Sequence, residues 1–92
     1  MKAIATAGVT SSSVAYRQDI RTGNHTLVAD EPPDHGGQDA GPAPYDLLLA
    51  ALGSCTAITL EMYAAKKGWR LGQLRVDLTF FKNREGESRI ER

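Results

Sequence analysis

One thiol and two imidazoles carry most of the chemistry open to the first two thirds of this chain. Cys55 is the single cysteine, and His25 and His35 are the two histidines, in 92 residues. A cysteine acts as a nucleophile or redox centre as the thiolate, which needs a cation, a metal or a helix N-terminus beside it. Leu48, Ala51, Leu52, Ile58, Thr59 and Met62 stand at helical spacing around Cys55, so its face is mainly apolar. On spacing alone this is the setting of a small buried hydrophobe. A reactive Cys55 therefore requires an arginine from elsewhere in the chain to lower its pKa.

Other chemistries find less support. His25, His35, Asp39 and Cys55 are metal-ligand types without the paired spacing of a zinc site. Ser54 is not led into by a strand, as a nucleophile elbow requires. Gly36-Gly37 lacks the Gly-Lys-Ser/Thr of a phosphate loop and lies among acids that would repel phosphate.

The elements that must hold these residues read as strands, a loop, a long helix and a further strand. Residues 4–9, 14–20 and 25–30 are short, β-compatible runs, with Thr22-Gly23-Asn24 as turn residues between the last two. All four prolines fall between Pro32 and Pro44, with Asp30, Glu31, Asp34, Asp39 and Asp46 along the same stretch. Residues 31–44 are therefore an acidic Pro/Gly loop, long enough to be functional or disordered. Residues 44–68 are a helix: Pro44 suits the first turn, Asp46 complements the N-terminal partial charge, and Lys66-Lys67-Gly68 ends it. The run 47–52 is apolar almost all round, which predicts burial on several sides. Gly53 weakens the helix by roughly 1 kcal/mol relative to alanine, so close packing of another segment or room beside Cys55 must require it. Leu74, Val76, Leu78 and Phe80 alternate with Arg75, Asp77 and Thr79, the pattern of a half-buried strand over 74–80.

Composition bounds the rest. The chain is 41% hydrophobic and 24% charged, ordinary for a folded soluble protein. Residues 1–65 hold Lys2, Arg17 and Arg21 against seven acids, a charge of −4; residues 66–92 hold eight basic against four acidic side chains, +4. The halves balance, and the densest basic cluster, Lys66, Lys67 and Arg70, offsets a helix C-terminus, so no nucleic-acid partner is expected. No uninterrupted apolar run reaches the length of a bilayer span, so no membrane partner is expected either. One cysteine excludes an internal disulfide framework and fits a reducing, cytoplasmic compartment.

The segment Gly41-Pro42-Ala43-Pro44-Tyr45-Asp46-Leu47-Leu48-Leu49-Ala50-Ala51-Leu52-Gly53-Ser54-Cys55-Thr56-Ala57 resembles the OsmC/Ohr family, named for osmotically inducible protein C and the organic hydroperoxide resistance proteins. Pro44 and Cys55 stand at the family's spacing, and Met62-Tyr63-Ala64 through Lys67-Gly68-Trp69 is similar to the OsmC-like subgroup. The resemblance implies a single α+β domain over 1–92, with N-terminal antiparallel strands packed with the long central helix and two chains intertwined as a homodimer. It also implies that family domains continue for about a further third, which would make this chain truncated on its C-terminal side.

For function the resemblance implies a thiol-dependent peroxidase. Cys55 would attack an organic hydroperoxide and pass through a sulfenic acid, which a second cysteine resolves. No bound cofactor is implied; an external dithiol, such as a lipoyl group, would restore the thiol. Arg17, or else Arg21, would stabilise the thiolate. The family holds that arginine with a glutamate directly after the proline; here Tyr45 occupies the position and Asp46 follows, so Asp46 is the carboxylate available. The absence of a resolving cysteine and of that glutamate favours an alternative: a non-catalytic binding or structural protein on the same fold. A metal-binding module is the third reading.

Overall fold

A computed structural model describes residues 1–92. In chain order it holds β1 (Ala7–Ser11), β2 (Gln18–Thr22), β3 (His25–Ala29), a short 3-10 turn (Pro33–His35), α1 (Pro44–Lys67), β4 (Thr79–Lys82) and β5 (Ser88–Glu91). Antiparallel strands in two sheets and one long helix make this an α+β chain, as expected. It divides into two compact units, Met1–Asp46 and Leu47–Arg92.

The first unit is a meander in the order β1-β2-β3. Val9 pairs with Ile20, and Ile20 with Leu27. Gly23-Asn24 closes the second hairpin as a two-residue loop beyond the Thr22–His25 pair. The strand expected over 14–20 begins only at Gln18, because residues 14–17 form a turn. The Ser12 hydroxyl accepts the Val14 N–H (3.1 Å), and Arg17 N–H donates to the Val14 carbonyl (3.2 Å). A serine side chain replacing a backbone partner outcompeted the loose alternation read there.

In the second unit, α1 ends with two linked hydrogen bonds. Gly68 N–H donates to Ala65 O (3.2 Å) and Trp69 N–H to Ala64 O (2.8 Å), with Lys66 and Lys67 in the last turn. One stripe of the helix is shielded: Leu49, Leu52, Gly53, Thr56, Ala57 and Ala64 are wholly or partly covered. Burial on several sides does not occur within the single chain. Gly53 and Ala64 alone are fully buried, while Leu48, Ile58 and Met62 are 44%, 49% and 68% exposed. The cause is supply: one extended segment lies on the helix and covers one stripe.

That segment is the expected strand over 74–80. Its faces alternate as predicted, with Leu74, Val76, Leu78 and Phe80 half-buried and Arg75, Asp77 and Thr79 exposed. Ladder pairing, however, covers only Thr79–Lys82, against Ser88–Glu91; residues 69–78 are extended without a neighbouring strand. Alternation records which face is shielded, whereas a strand also requires a partner backbone. The polar tail forms the β4–β5 hairpin around Asn83, whose Oδ1 accepts the N–H groups of Glu85 (3.0 Å) and Glu87 (2.9 Å).

α1 also corrects the expectation that nothing in the chain approaches a membrane span. Its 24 residues are long and apolar enough by length and composition, because scattered Ser and Thr residues interrupt the run without making it polar. A core helix of a soluble protein meets the same description.

Gly53 explains why the segment can lie where it does. A Cβ built on Gly53 would stand 2.9 Å from Leu78 Cδ1. Leu78 presents the end of a flexible side chain, so alanine costs about one rotamer adjustment (~1 kcal/mol) and regains about 1 kcal/mol of helix propensity. Gly53→Ala is expected to leave the melting temperature within a few degrees of wild type. Gly53→Val, which adds branched volume at the contact, is expected to destabilise by about 1–3 kcal/mol. Thermal denaturation of the two variants checks both.

Candidate functional site

Cys55 lies about three turns into α1, beyond the reach of the helix N-terminus. It is two residues from Gly53, roughly 200° around the helix axis, so it sits opposite the stripe that Leu78 covers. The thiol is exposed. Around it the side chains of Leu48, Ala51, Ile58, Thr59 and Met62 are exposed as well. An apolar, open face with one sulfur at its middle is what this helix offers.

The neighbouring hydroxyls are already engaged. Ser54 Oγ donates to Ala50 O (2.7 Å) and Thr56 Oγ1 to Leu52 O (2.9 Å), the back-bonding common for helical Ser and Thr. Ser54 is therefore tied to the backbone rather than poised as a nucleophile. A shallow groove of about 330 Å³, lined by Leu49, Gly53, Ala57, Val76 and Leu78, runs on the covered side of the helix, away from Cys55.

In the first unit the residues sort differently. Asp46 is the third residue of α1, and its Oδ2 accepts the Ala43 N–H (3.1 Å), so the carboxylate closes the start of the helix. Arg21 is exposed in mid-strand, paired with Gly8 and Thr26. Arg17 is half-buried just before β2. The β2–β3 register ends at Gln18 opposite Ala29. His35 Nδ1 lies 3.5 Å from Asp34 Oδ1 on the surface, both side chains mostly exposed. His25, His35, Asp39 and Cys55 are not gathered: no three His, Cys, Asp or Glu side chains converge.

Asp30 is the residue the sequence reading passed over, counted there only as one acid among five. It is 2% exposed, the most buried polar side chain in the chain. Its Oδ1 accepts the Glu31 N–H (2.8 Å), and its Oδ2 accepts those of Gln38 (3.2 Å) and Ala40 (3.1 Å). Its own N–H donates to Pro42 O (3.2 Å). One carboxylate thus gathers both limbs of the acidic loop, which is ordered rather than disordered. Gly37 sits so close to the Glu31 carbonyl that any Cβ there would overlap it. The signal was an aspartate at a strand end just before Pro-Pro and Gly-Gly, where a short acceptor can satisfy a turning backbone.

These contacts set its acidity. The Ala40 N–H holds the Asp30 carboxyl below its ordinary range; burial opposes this, and the Glu31 and Gln38 N–H groups and the charge of Arg17 add to the lowering. A carboxylate more acidic in the folded state adds stability that is complete above its unfolded pKa and is lost as pH falls through the folded value. Stability is therefore expected to drop on acidification through the carboxyl range, and Asp30→Asn to flatten that part of the profile. Chemical denaturation at a series of pH values checks this.

A family model described as OsmC-like protein matches residues 36–92, more than half of the chain. No curated protein and no solved structure matches. The matched segment contains the second half of the loop, α1 with Cys55, and the β4–β5 hairpin, while Arg17 and Asp30 precede it. A sole cysteine in the middle of a long apolar helix, entered through Ala43-Pro44-Tyr45-Asp46, thus lies in the part of the chain that matches, and the chain belongs to the OsmC-like family.

Proposed function

We propose that this protein is a thiol-dependent peroxidase that reduces organic hydroperoxides in oxidative-stress defence, with Cys55 as the peroxidatic residue. The observation that carries the reading is the placement of the only thiol, exposed at the centre of the open apolar face of α1 within the family-matched segment. An apolar approach suits a hydroperoxide with an organic substituent, and exposure lets sulfur reach the peroxide oxygen.

The chemistry runs in two stages. The Cys55 thiolate attacks one peroxide oxygen, the O–O bond breaks, and the alkoxide leaves and is protonated to the alcohol. Sulfur, now oxidised, is left as the sulfenic acid. An external dithiol then supplies both electrons. Its first thiolate attacks the sulfenic sulfur and releases water; its second displaces Cys55 as thiolate and closes its own disulfide. These 92 residues hold one cysteine, so the resolving sulfur in this scheme comes from elsewhere, a lipoyl-type dithiol being the chemical class that fits. Arg17 is the cation that favours the thiolate, and Asp46 is the carboxylate proposed to hold that arginine; its Oδ2 also accepts the Ala43 N–H at the start of α1.

The assembly proposed is a homodimer in the cytoplasm. Leu48 and Met62, each about two turns along α1 from Cys55, leave apolar surface that a second copy would remove from water, at about 25 cal/mol per Å², with the thiol left reachable between them at the seam. This use of α1 is proposed in preference to a bilayer span. The competing reading is a non-catalytic binding or structural protein of the same fold, favoured by the single cysteine and by Tyr45 where the resemblance places a glutamate.

Consumption of tert-butyl or cumene hydroperoxide with dihydrolipoamide as reductant separates the two. Wild-type protein is expected to turn over and Cys55→Ser to fall to the rate without protein; equal rates would remove the peroxidase reading.

A further inference from the structure

We infer that Met62 is a second oxidation site on the open face of α1, and that oxygen taken there from an organic hydroperoxide switches off self-association through that face. The hydroperoxide and the second copy rest on the reading proposed above; the reaction at the Met62 sulfur does not depend on turnover at Cys55.

Helix geometry supplies the first argument. Met62 follows Cys55 in α1 by seven residues, which places it within about 20° of the thiol around the axis and roughly 10.5 Å further along. Leu48 precedes Cys55 by the same interval, so Leu48, Cys55 and Met62 form one row along the side of the helix that Leu78 leaves uncovered. Exposure supplies the second. Met62 is 68% exposed, more than any other large apolar side chain of α1. Its thioether meets a small molecule from solution without any opening of the structure. Ile58, also exposed, lies one turn before it and adds to the apolar surface on which an organic hydroperoxide gathers.

The reaction is a single oxygen transfer. A lone pair of the Met62 sulfur attacks the terminal peroxide oxygen and the O–O bond breaks. The proton on that oxygen passes to the departing alkoxide, which leaves as the alcohol, and sulfur keeps the oxygen as the sulfoxide. Sulfur loses the two electrons that the peroxide gains, so no reductant takes part. The dithiol that restores Cys55 does not restore Met62; that return needs a methionine sulfoxide reductase. The product is polar where the thioether was apolar. A second copy covering this row would then have to remove the sulfoxide oxygen from water, which costs more than burying the thioether.

Two measurements test this in the full chain, both in Cys55→Ser so that the cysteine contributes nothing. Protein treated with cumene hydroperoxide is digested and its sulfoxides are counted by mass spectrometry. Met1, the other methionine, is exposed outside any strand or helix and serves as the internal reference. Met62 should oxidise ahead of Met1, and the lead should narrow with hydrogen peroxide, which has no organic group to favour an apolar face. Equal oxidation of the two methionines by both oxidants would be the ordinary reactivity of an exposed thioether and overturns the site. Sedimentation before and after oxidation gives the second readout. The dimer dissociation constant should rise on the order of tenfold or more, and the same treatment should leave it unchanged in Met62→Leu, which keeps the volume without the sulfur. A chain that is monomeric before oxidation, an unchanged constant after it, or an equal rise in Met62→Leu overturns the switch. Oxidation of Met62 ahead of Met1, together with no peroxide turnover by the wild type, leaves the site standing while the role of Cys55 falls.

Discussion

The close approach of Leu78 to Gly53 decides what the second half of the chain can present. α1 is apolar on nearly every side, and helical geometry alone does not choose which side is covered. A missing side chain at one position lets the extended segment settle there. The covered stripe then runs through Gly53, Ala57 and Ala64, and the opposite face stays open with Cys55 on it. Gly53 lowers helix propensity by roughly 1 kcal/mol; half-burying Leu78 returns about half of the ~1.5–3 kcal/mol of a fully buried leucine. The packing gain offsets the propensity loss, which accounts for a glycine in the middle of an otherwise strong helix.

The first half depends on a polar rather than an apolar centre. Ala29 is its one fully buried apolar residue, and beside it lies Asp30. An ionised carboxylate in that place is costly unless its lone pairs are satisfied. Three backbone N–H groups satisfy it, and in doing so give a loop rich in Pro and Gly a fixed course from β3 to α1. The same contacts hold the Asp30 carboxyl below its ordinary range.

Much of this was legible in the residues, and the parts that were not share a cause. Pro44, Asp46 and Lys66-Lys67-Gly68 bounded α1 almost to the residue, because caps are local chemistry. The alternation at residues 74–80 foretold which side chains would be shielded. It did not foretell that residues 69–78 would lack a strand partner, since periodicity reports faces and not neighbours. Val14 to Arg17 was misread because Ser12 competes for the backbone through its side chain, a contact that pattern counting does not register. Asp30 was invisible for a related reason: its burial follows from where the loop returns, a long-range property of an acid that in isolation looks solvated. Cys55 stood out by its uniqueness, yet spacing alone made it a buried hydrophobe, whereas the structure leaves it exposed.

We propose that the open face of α1 is where sulfur meets a peroxide. Direct trapping of the oxidised sulfur tests it without dependence on any reductant. Protein treated with an equimolar organic hydroperoxide in the presence of dimedone, then digested and analysed by mass spectrometry, should carry the dimedone adduct on Cys55 in nearly every molecule. A Cys55 peptide that remains an unmodified thiol while the hydroperoxide persists would contradict it.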